Sequence, residues 1–97
     1  MKAVFIVYNQ ALTEAVNSIL EQNHIRGYSK WVDVQGRGSH GGEPHFGTHV
    51  WPAMNSAIIA IIEEERVEHL MENLKQLDLK TKQQGLRAFV WSVEGMV

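Results

Sequence analysis

The chain has 97 residues, which fits one domain and leaves no room for a second. Its formal net charge of −2 argues against general nucleic-acid binding, and the absence of cysteine excludes disulfides and thiolate metal sites. The longest apolar run, residues 57–62, is far too short to span a bilayer, and the N-terminus has no signal-peptide pattern. We therefore expect a small cytoplasmic domain.

The first third of the chain alternates strand and helix patterns. Residues 3–8 are β-branched and aromatic, which predicts a strand covered on both faces. A helix should follow, with Asn9 as its N-cap and Asn23, in the left-handed conformation, at its end. Its apolar residues recur at helical spacing on one face: Leu12, Ala15, Val16, Ile19 and Leu20. Residues 27–34, rich in Tyr, Trp and Val, predict a second strand.

The second half of the chain repeats these patterns. Residues 54–62 predict a third strand that is buried on both faces. The acidic run of residues 63–65 opens a second helix, where the helix dipole favours negative charge, so we prefer a solvated helix start to a metal site. Residues 86–93 alternate in polarity and predict the last strand. The apolar stripe of the second helix is Val67, Leu70, Met71, Leu74 and Leu77.

This order of elements predicts a split βαβ arrangement of class α+β. Right-handed crossovers would place both helices on one face of a four-stranded antiparallel sheet. The first and third strands are apolar on both sides, so the open face of the sheet should also be apolar. Such a face is a contact surface, most simply for copies of the same chain, and we expect a homo-oligomer.

A glycine-rich insertion, residues 35–52, separates the second and third strands. It contains five of the eight glycines, three of the five histidines and both prolines. Long loops without periodicity in compact domains tend to be functional or disordered. We therefore take the rest of the chain as a frame that holds this loop.

Two short glycine segments could bind an anion or a nucleotide. Gly36, Arg37 and Gly38 follow the second strand, and the segment 83–87 (Gln-Gln-Gly-Leu-Arg) precedes the last one. Glycine allows backbone N–H groups to approach a phosphate, and arginine can chelate its oxygens. Neither segment matches a Walker A motif or a dinucleotide fingerprint, and ordinary tight turns remain the alternative.

The loop also carries a candidate metal-binding set. Imidazole is a standard ligand for zinc and copper, and a carboxylate can complete the coordination. The alternative is a polar loop whose histidines stay solvated, and ligands drawn from several subunits would favour the metal. The candidate ligands are His40, Glu43, His45 and His49.

A small enzyme is the competing class of function. Nothing resembles Gly-x-Ser-x-Gly or His-Glu-x-x-His, so the hypothesis needs one of the loop histidines (40, 45 or 49) as a general base. Asp33, with Arg37 and His40, could be drawn as a catalytic cluster. A salt bridge at the end of the strand explains the same residues.

The chain resembles the nitrogen regulatory PII proteins in two segments. Residues 32–38, Val-Asp-Val-Gln-Gly-Arg-Gly, lead into a long loop, and the third strand follows Trp51 and Pro52, as in that family. Residues 85–94, Gly-Leu-Arg-Ala-Phe-Val-Trp-Ser-Val-Glu, resemble the family's Gly-Lys-Ile-Phe-Val-x-x-Val-Glu strand with one residue of slippage. The resemblance covers nearly the whole chain in element order.

This resemblance implies a ferredoxin-like βαββαβ fold, a compact homotrimer and a signalling role without catalysis. It further implies an adenine nucleotide (ATP, ADP or AMP) bound between subunits, and a loop that engages a target protein. By position, the loop-base residues beside the nucleotide are Gln35, Gly36, Arg37 and Gly38. The corresponding residues of the second phosphate-binding loop are Gln84, Gly85 and Arg87.

The chain departs from classical members in three places. Its loop lacks the tyrosine that is uridylylated, the family's basic glycine-rich motif is reduced to Lys-Thr-Lys-Gln-Gln-Gly at residues 80–85, and the sequence stops at Val97 without the basic C-terminal segment. We therefore expect a PII-like relative with another ligand, whose partner could be a membrane transporter or a metal-efflux system. The CutA divalent-cation tolerance proteins, which share the fold and the trimer, are the nearest alternative.

Overall fold

The computed structural model describes residues 1–38, 43–48 and 53–97. These residues form, in chain order, β1 (Lys2–Asn9), a 3-10 turn (Gln10–Leu12), α1 (Thr13–Gln22), β2 (Ser29–Val34), β3 (Asn55–Ile62), α2 (Glu64–Lys80) and β4 (Leu86–Ser92). The strands make one antiparallel sheet in the order β2-β3-β1-β4. The predicted α+β, ferredoxin-like fold is thus confirmed. Across these ranges, no helix combines the length and the hydropathy needed to cross a membrane.

One face of the sheet forms the core with the two helices. On β1, Val4 lies beside Ala60 of β3, and Ile6 lies between Ile58 of β3 and Ala88 of β4. This period of two places the even-numbered residues of β1 on the helix side. The helices contribute their predicted apolar stripes to the same cluster, including Val16, Ile19, Leu20, Leu70 and Leu74.

The start of α1 is shifted from its predicted position. Asn9 is a cap as predicted, but it caps the 3-10 turn, because its Oδ1 accepts a hydrogen bond from Ala11 N at 3.0 Å. The α-helix itself begins at Thr13. β2 also begins later than predicted. It starts at Ser29, where its pairing with Ile59 of β3 begins.

The end of α1 differs from the prediction. Asn23 has a φ of −93°, and the left-handed conformation falls on His24, with a φ of 56°. The prediction for Asn23 was wrong because its side chain makes hydrogen bonds to both helices. Its Nδ2 donates to Ile19 O at 2.8 Å and to Asn73 Oδ1 of α2 at 2.9 Å, and its Oδ1 accepts from His69 Nδ1 at 2.7 Å. Asn23 therefore fastens the two helices together.

The buried Tyr8 ends the helix-facing row of β1. Its side chain is 1% exposed, and its hydroxyl makes no hydrogen bond of full geometry with the described residues. Burial raises the pKa of the Tyr8 phenol. The neighbouring Ser56 hydroxyl partly offsets this rise, and Tyr28 adds to it. Among the described residues, the Tyr8 hydroxyl is thus a buried polar group that costs stability rather than adding it.

The other face of the sheet is apolar and uncovered by the helices. The Phe5 ring lies 6.5 Å, centroid to centroid, from both Trp31 of β2 and Trp91 of β4. Trp31, Phe89 and Trp91 are each about half exposed. The prediction that the central strands are apolar on both sides is confirmed, and we call this surface the aromatic face.

Candidate functional site at the base of the long loop

The two predicted glycine segments lie at the same end of the sheet. β1 is a central strand, and its last residues pair with the first residues of both β3 and β4. Asn9 N donates to Gly85 O at 3.0 Å, and Gln10 N donates to Met54 O at 2.9 Å. The segments that precede β3 and β4 are therefore held side by side where β1 ends.

A pair of backbone hydrogen bonds closes the base of the loop. Gly36 N donates to His45 O at 3.0 Å, and His45 N donates to Gly36 O at 2.6 Å. The Gln35 side chain reinforces this bridge, because its Nε2 donates to Phe46 O at 3.0 Å. A Cβ on Gly36 would lie 2.6 Å from Asn55 Nδ2, so glycine is needed here for close packing.

The His45 ring connects the loop base to the second glycine segment. Its Nδ1 lies 2.6 Å from Asn55 Oδ1 at the start of β3. A carbonyl oxygen can only accept, so Nδ1 is the donor and Nε2 of the neutral ring is left as an acceptor. On its other side, His45 Cε1 lies 3.5 Å from the position that a Cβ of Gly85 would occupy. The imidazole therefore lies on the side of Gly85 that a Cβ would occupy.

Gly85 occupies a backbone conformation that glycine alone adopts easily. Its φ is +91°, and the preceding residue, Gln84, closes a turn by donating its N–H to Thr81 O at 2.9 Å. This turn directs the chain from α2 into β4. The tight turn given as the alternative in the sequence analysis is therefore present, and anion binding by this segment stays a prediction.

The remaining predicted ligands, Arg37, Gly38 and Arg87, differ in position. Arg37 and Gly38 are exposed at the loop base. Arg87 is drawn toward the end of α2: its Nη1 donates to Leu86 O at 2.9 Å and lies 3.7 Å from Asp78 Oδ2. The Arg87 side chain is largely exposed, so this ion pair contributes little and can be exchanged for another anion.

Asp33 takes part in a different contact from the one predicted. It has a φ of +64° at an irregularity in the pairing of β2, and its Oδ1 accepts from Gln10 Nε2 at 2.8 Å. Gln10 Nε2 also approaches Asn55 O at 3.5 Å. The proposed strand-end salt bridge with Arg37 is therefore replaced by an amide contact, which ties β2 to the residues after β1.

Sequence reasoning missed Asn55 and Gln10. Asn55 supports His45 and packs on Gly36, and Gln10 holds Asp33. One signal was available, because Asn55 is a polar residue at the start of a strand that is apolar from Ala57 onward. A polar side chain in that place usually serves a specific contact.

The predicted metal set is only partly within the described residues. His40 and His49 lie outside them, whereas Glu43 is exposed and His45 is half-buried against Asn55. Among residues 1–38, 43–48 and 53–97, no three His, Asp or Glu side chains cluster closely enough to hold a metal ion. The four-residue metal site stays a prediction.

Taken together, the fold and the paired glycine segments define a ferredoxin-like domain that carries a long loop at one end of its sheet. The family model of the nitrogen regulatory protein P-II matches residues 1–97. The chain therefore belongs to the P-II family, as the resemblance in its sequence indicated. The comparison with curated proteins gave no match.

Solved structures agree with this assignment. CPII, a nitrogen regulatory PII-like protein from Thiomonas intermedia K12, bound to ADP, AMP and bicarbonate, gives a TM-score of 0.74 at 25% identity, over 93% of this chain and 82% of that chain. CPII bound to ADP and bicarbonate gives 0.72 at 26% identity, with the same coverage. A PII-like signalling protein from Thermus thermophilus gives 0.66 at 21% identity, over 93% of this chain and 83% of that chain, and supports the fold alone.

Proposed function

We propose that this chain is a non-enzymatic, cytoplasmic signalling protein that binds an adenine nucleotide at the base of its long loop. The observation that carries the proposal is the meeting of the two glycine segments, where His45 lies between Gly36 and Gly85. The structures of CPII with ADP and AMP bound support the choice of ligand. The loop, residues 35–52, would then present a surface to a partner protein, which could be a membrane transporter.

The residues of the proposed site have two roles: some would bind the phosphates, and others would hold the turns around them. The N–H of Gly36 is already used in the bridge to His45, so the phosphates would meet the next two residues, Arg37 and Gly38, which are exposed. Arg87 would exchange its weak contact with Asp78 for a phosphate oxygen, since phosphate can be chelated by the guanidinium fork. Gln35, Gln84 and Gly85 would hold the two turns that frame the ligand.

The aromatic face supports an oligomer, which we propose to be a homotrimer. Half-exposed aromatic side chains on β2 and β4 flank Phe5 of β1 in an apolar surface, and such surfaces in small domains mark protein contacts. A cyclic assembly would cover this face with copies of itself. It would also place the base of one loop beside a neighbouring subunit.

Titration calorimetry with ADP, AMP and ATP, each with and without bicarbonate, tests the nucleotide site. We expect binding by the native chain and at least about tenfold weaker binding by Arg37→Ala, because one charge-assisted contact contributes about 1.5–3 kcal/mol. Arg26→Ala is the matched control, since Arg26 is an exposed arginine after α1. Absence of nucleotide binding by the native oligomer would refute the proposal.

One observation favours a metal ion as the second candidate ligand. A histidine that binds a metal usually donates its other N–H to a carbonyl or carboxylate, and His45 does so through Nδ1 to Asn55. Its Nε2 could then join His40, Glu43 and His49 around zinc or copper, as in a metal-responsive or CutA-like protein. A rise in melting temperature with zinc that disappears when the three loop histidines become alanine would support this candidate.

A further inference from the structure

The outer edge of β4 carries backbone hydrogen-bonding groups that the sheet does not use. β4 is a terminal strand of the sheet, and within the described ranges it pairs with β1 alone. Asn9 N donates to Gly85 O at 3.0 Å, and the register then makes the odd-numbered residues of β4 the ones that exchange hydrogen bonds with β1. Because antiparallel pairing alternates, the N–H and C=O groups of Ala88, Val90 and Ser92 point away from the sheet.

Leu86 shows that a donor can occupy this edge. It is also an even-numbered residue, so its carbonyl oxygen points outward. That oxygen accepts a hydrogen bond from Nη1 of the neighbouring Arg87 at 2.9 Å. A side-chain donor thus lies where the N–H of an added strand would lie, and an unpaired edge of this kind is a template for strand addition.

A groove of about 500 Å³ runs between this edge and α2. Its floor is apolar and is formed by Val67, Met71, Leu74, Leu86 and Ala88. Alternate side chains of a strand added beside β4 would enter the groove. The intervening side chains would lie beside Phe89 and Trp91, which are each about half exposed. The edge therefore fits an extended occupant that is covered on both of its sides.

The rim of the groove on the α2 side is acidic. Glu68 and Glu72 are exposed along it, together with one exposed lysine, Lys75. At the end of the groove near the start of β4, Arg87 and Asp78 lie 3.7 Å apart, so their charges largely cancel. A basic side chain on the occupant would complement the remaining negative charge of the rim.

We propose that the groove between β4 and α2 binds an extended peptide segment of a partner protein, which joins the sheet as a fifth strand beside β4. Apolar side chains at alternate positions of the segment fill the groove, and a lysine or arginine contacts Glu68 or Glu72. The backbone hydrogen bonds give affinity, and the groove selects the side chains. The proposal does not depend on the nucleotide site, with which the groove shares only Arg87.

Selection of random heptapeptides displayed on phage, with the native protein as target, tests the groove, since β4 has seven residues. We expect the enriched peptides to share apolar residues at alternate positions and a lysine or arginine. They should bind Val90→Pro at least about tenfold more weakly, because proline removes an outward N–H without breaking a hydrogen bond to β1. Val90→Ala keeps this N–H and should bind within about threefold of the native affinity.

N-methylation of an enriched peptide tests the backbone pairing without any change to the protein. Methyl groups at alternate amides should weaken binding at least about tenfold, and those at the intervening amides less than about threefold, because only every second N–H of an added strand faces β4. At low salt Glu68→Lys should weaken binding at least about threefold. Glu21→Lys, an exposed position on α1, is the matched control and should bind like the native chain.

Three results would overturn the proposal. The first is a selection that yields no peptide able to distinguish the native chain from Val90→Pro. The second is equal sensitivity of binding to every N-methyl group. The third is a folded Val90→Pro that sediments as a smaller species than the native protein, because a second copy of the chain would then occupy the edge. If circular dichroism shows Val90→Pro to be unfolded, the N-methyl series and Glu68→Lys decide the question.

Discussion

Gly85 shows how one residue's backbone serves the turn beneath the proposed site. Its φ of +91° is strained for any residue with a Cβ, and its carbonyl oxygen is held by Asn9 N. We expect Gly85→Ala to lose about 1–3 kcal/mol of unfolding free energy, because the new residue must adopt a sparsely populated conformation. Urea denaturation measures this loss.

Gly27 provides the matched control for that substitution. A Cβ at this position meets nothing within 4 Å, and its φ is not in the left-handed region. Gly27→Ala should therefore be neutral or stabilise by up to about 1 kcal/mol, through the smaller entropy of the unfolded chain. Equal effects of the two substitutions would contradict the assignment of strain to Gly85.

Tyr8 predicts a pH dependence of stability. Because burial raises the pKa of its phenol above the ordinary value of 10, the unfolded state loses this proton first as the pH rises. The unfolded state is then favoured, so stability should fall above about pH 10. Tyr8→Phe should remove this part of the fall. At pH 7 it should be neutral or stabilise by up to about 1 kcal/mol, since the hydroxyl is buried and Ser56 gives it no well-formed hydrogen bond.

Thermal unfolding of the native chain and the variant at several pH values checks this prediction. Tyr28→Phe, which leaves Tyr8 in place, is the comparison and should keep the alkaline loss. A variant Tyr8→Phe that is destabilised by about 1 kcal/mol or more at pH 7 would show that the hydroxyl has a partner.

The two helices depend on Asn23 for part of their mutual packing. Asn23 is 8% exposed and bonds to Ile19 O, Asn73 and His69. Asn23→Ala should cost about 1–3 kcal/mol, because it removes these bonds and leaves buried partners unsatisfied. Asn17→Ala, on the exposed side of α1, should cost about 0.5 kcal/mol or less. Urea midpoints compare the two, and similar losses would exclude a special role for Asn23.

Hydrophobic pattern predicted both helices and three of the strands of this fold, whereas β2 was predicted from its content of Tyr, Trp and Val. The stripe at Leu70 and Leu74 and the alternation from Leu86 onward each gave the correct element, because burial of one face determines both periods. Boundaries were less accurate. The left-handed residue at the end of α1 was placed one position early, since the tertiary contacts of Asn23 are not visible in a local pattern.

Sequence analysis singled out the glycines and His45 of the candidate site, but not how they come together. Gly36 and Gly85 were recognisable from residue type, whereas their approach through His45 depends on strand order. β1 must be central for the starts of β3 and β4 to lie together. The link from Asn55 to His45 spans a ten-residue separation without periodicity, so no pattern in the sequence indicates it.

The whole molecule is expected to assemble through the aromatic face. Trp91→Glu places a charge on this surface and should raise the dissociation constant of the oligomer at least about 30-fold, as for an interface residue worth about 2 kcal/mol. Sedimentation velocity should then show smaller species than for the native chain. Leu79→Glu changes a similarly exposed apolar residue on α2 and should leave the assembly intact. Identical sedimentation of both variants would place the interface elsewhere.

The hydrogen bonds between Gly36 and His45 also affect how the length and chemistry of the loop can change among homologues. Together with the bond from Gly47 N to Ala53 O, they tie the long loop at two points close to the sheet. Residues inserted between 37 and 44 would lengthen a closed ring whose ends are already fixed, and doubling such a ring costs only about 0.6 kcal/mol. Homologues could therefore exchange this ring for one of another length or chemistry while the scaffold and the turn at Gly85 persist. New specificities can arise by insertion, without redesign of the frame.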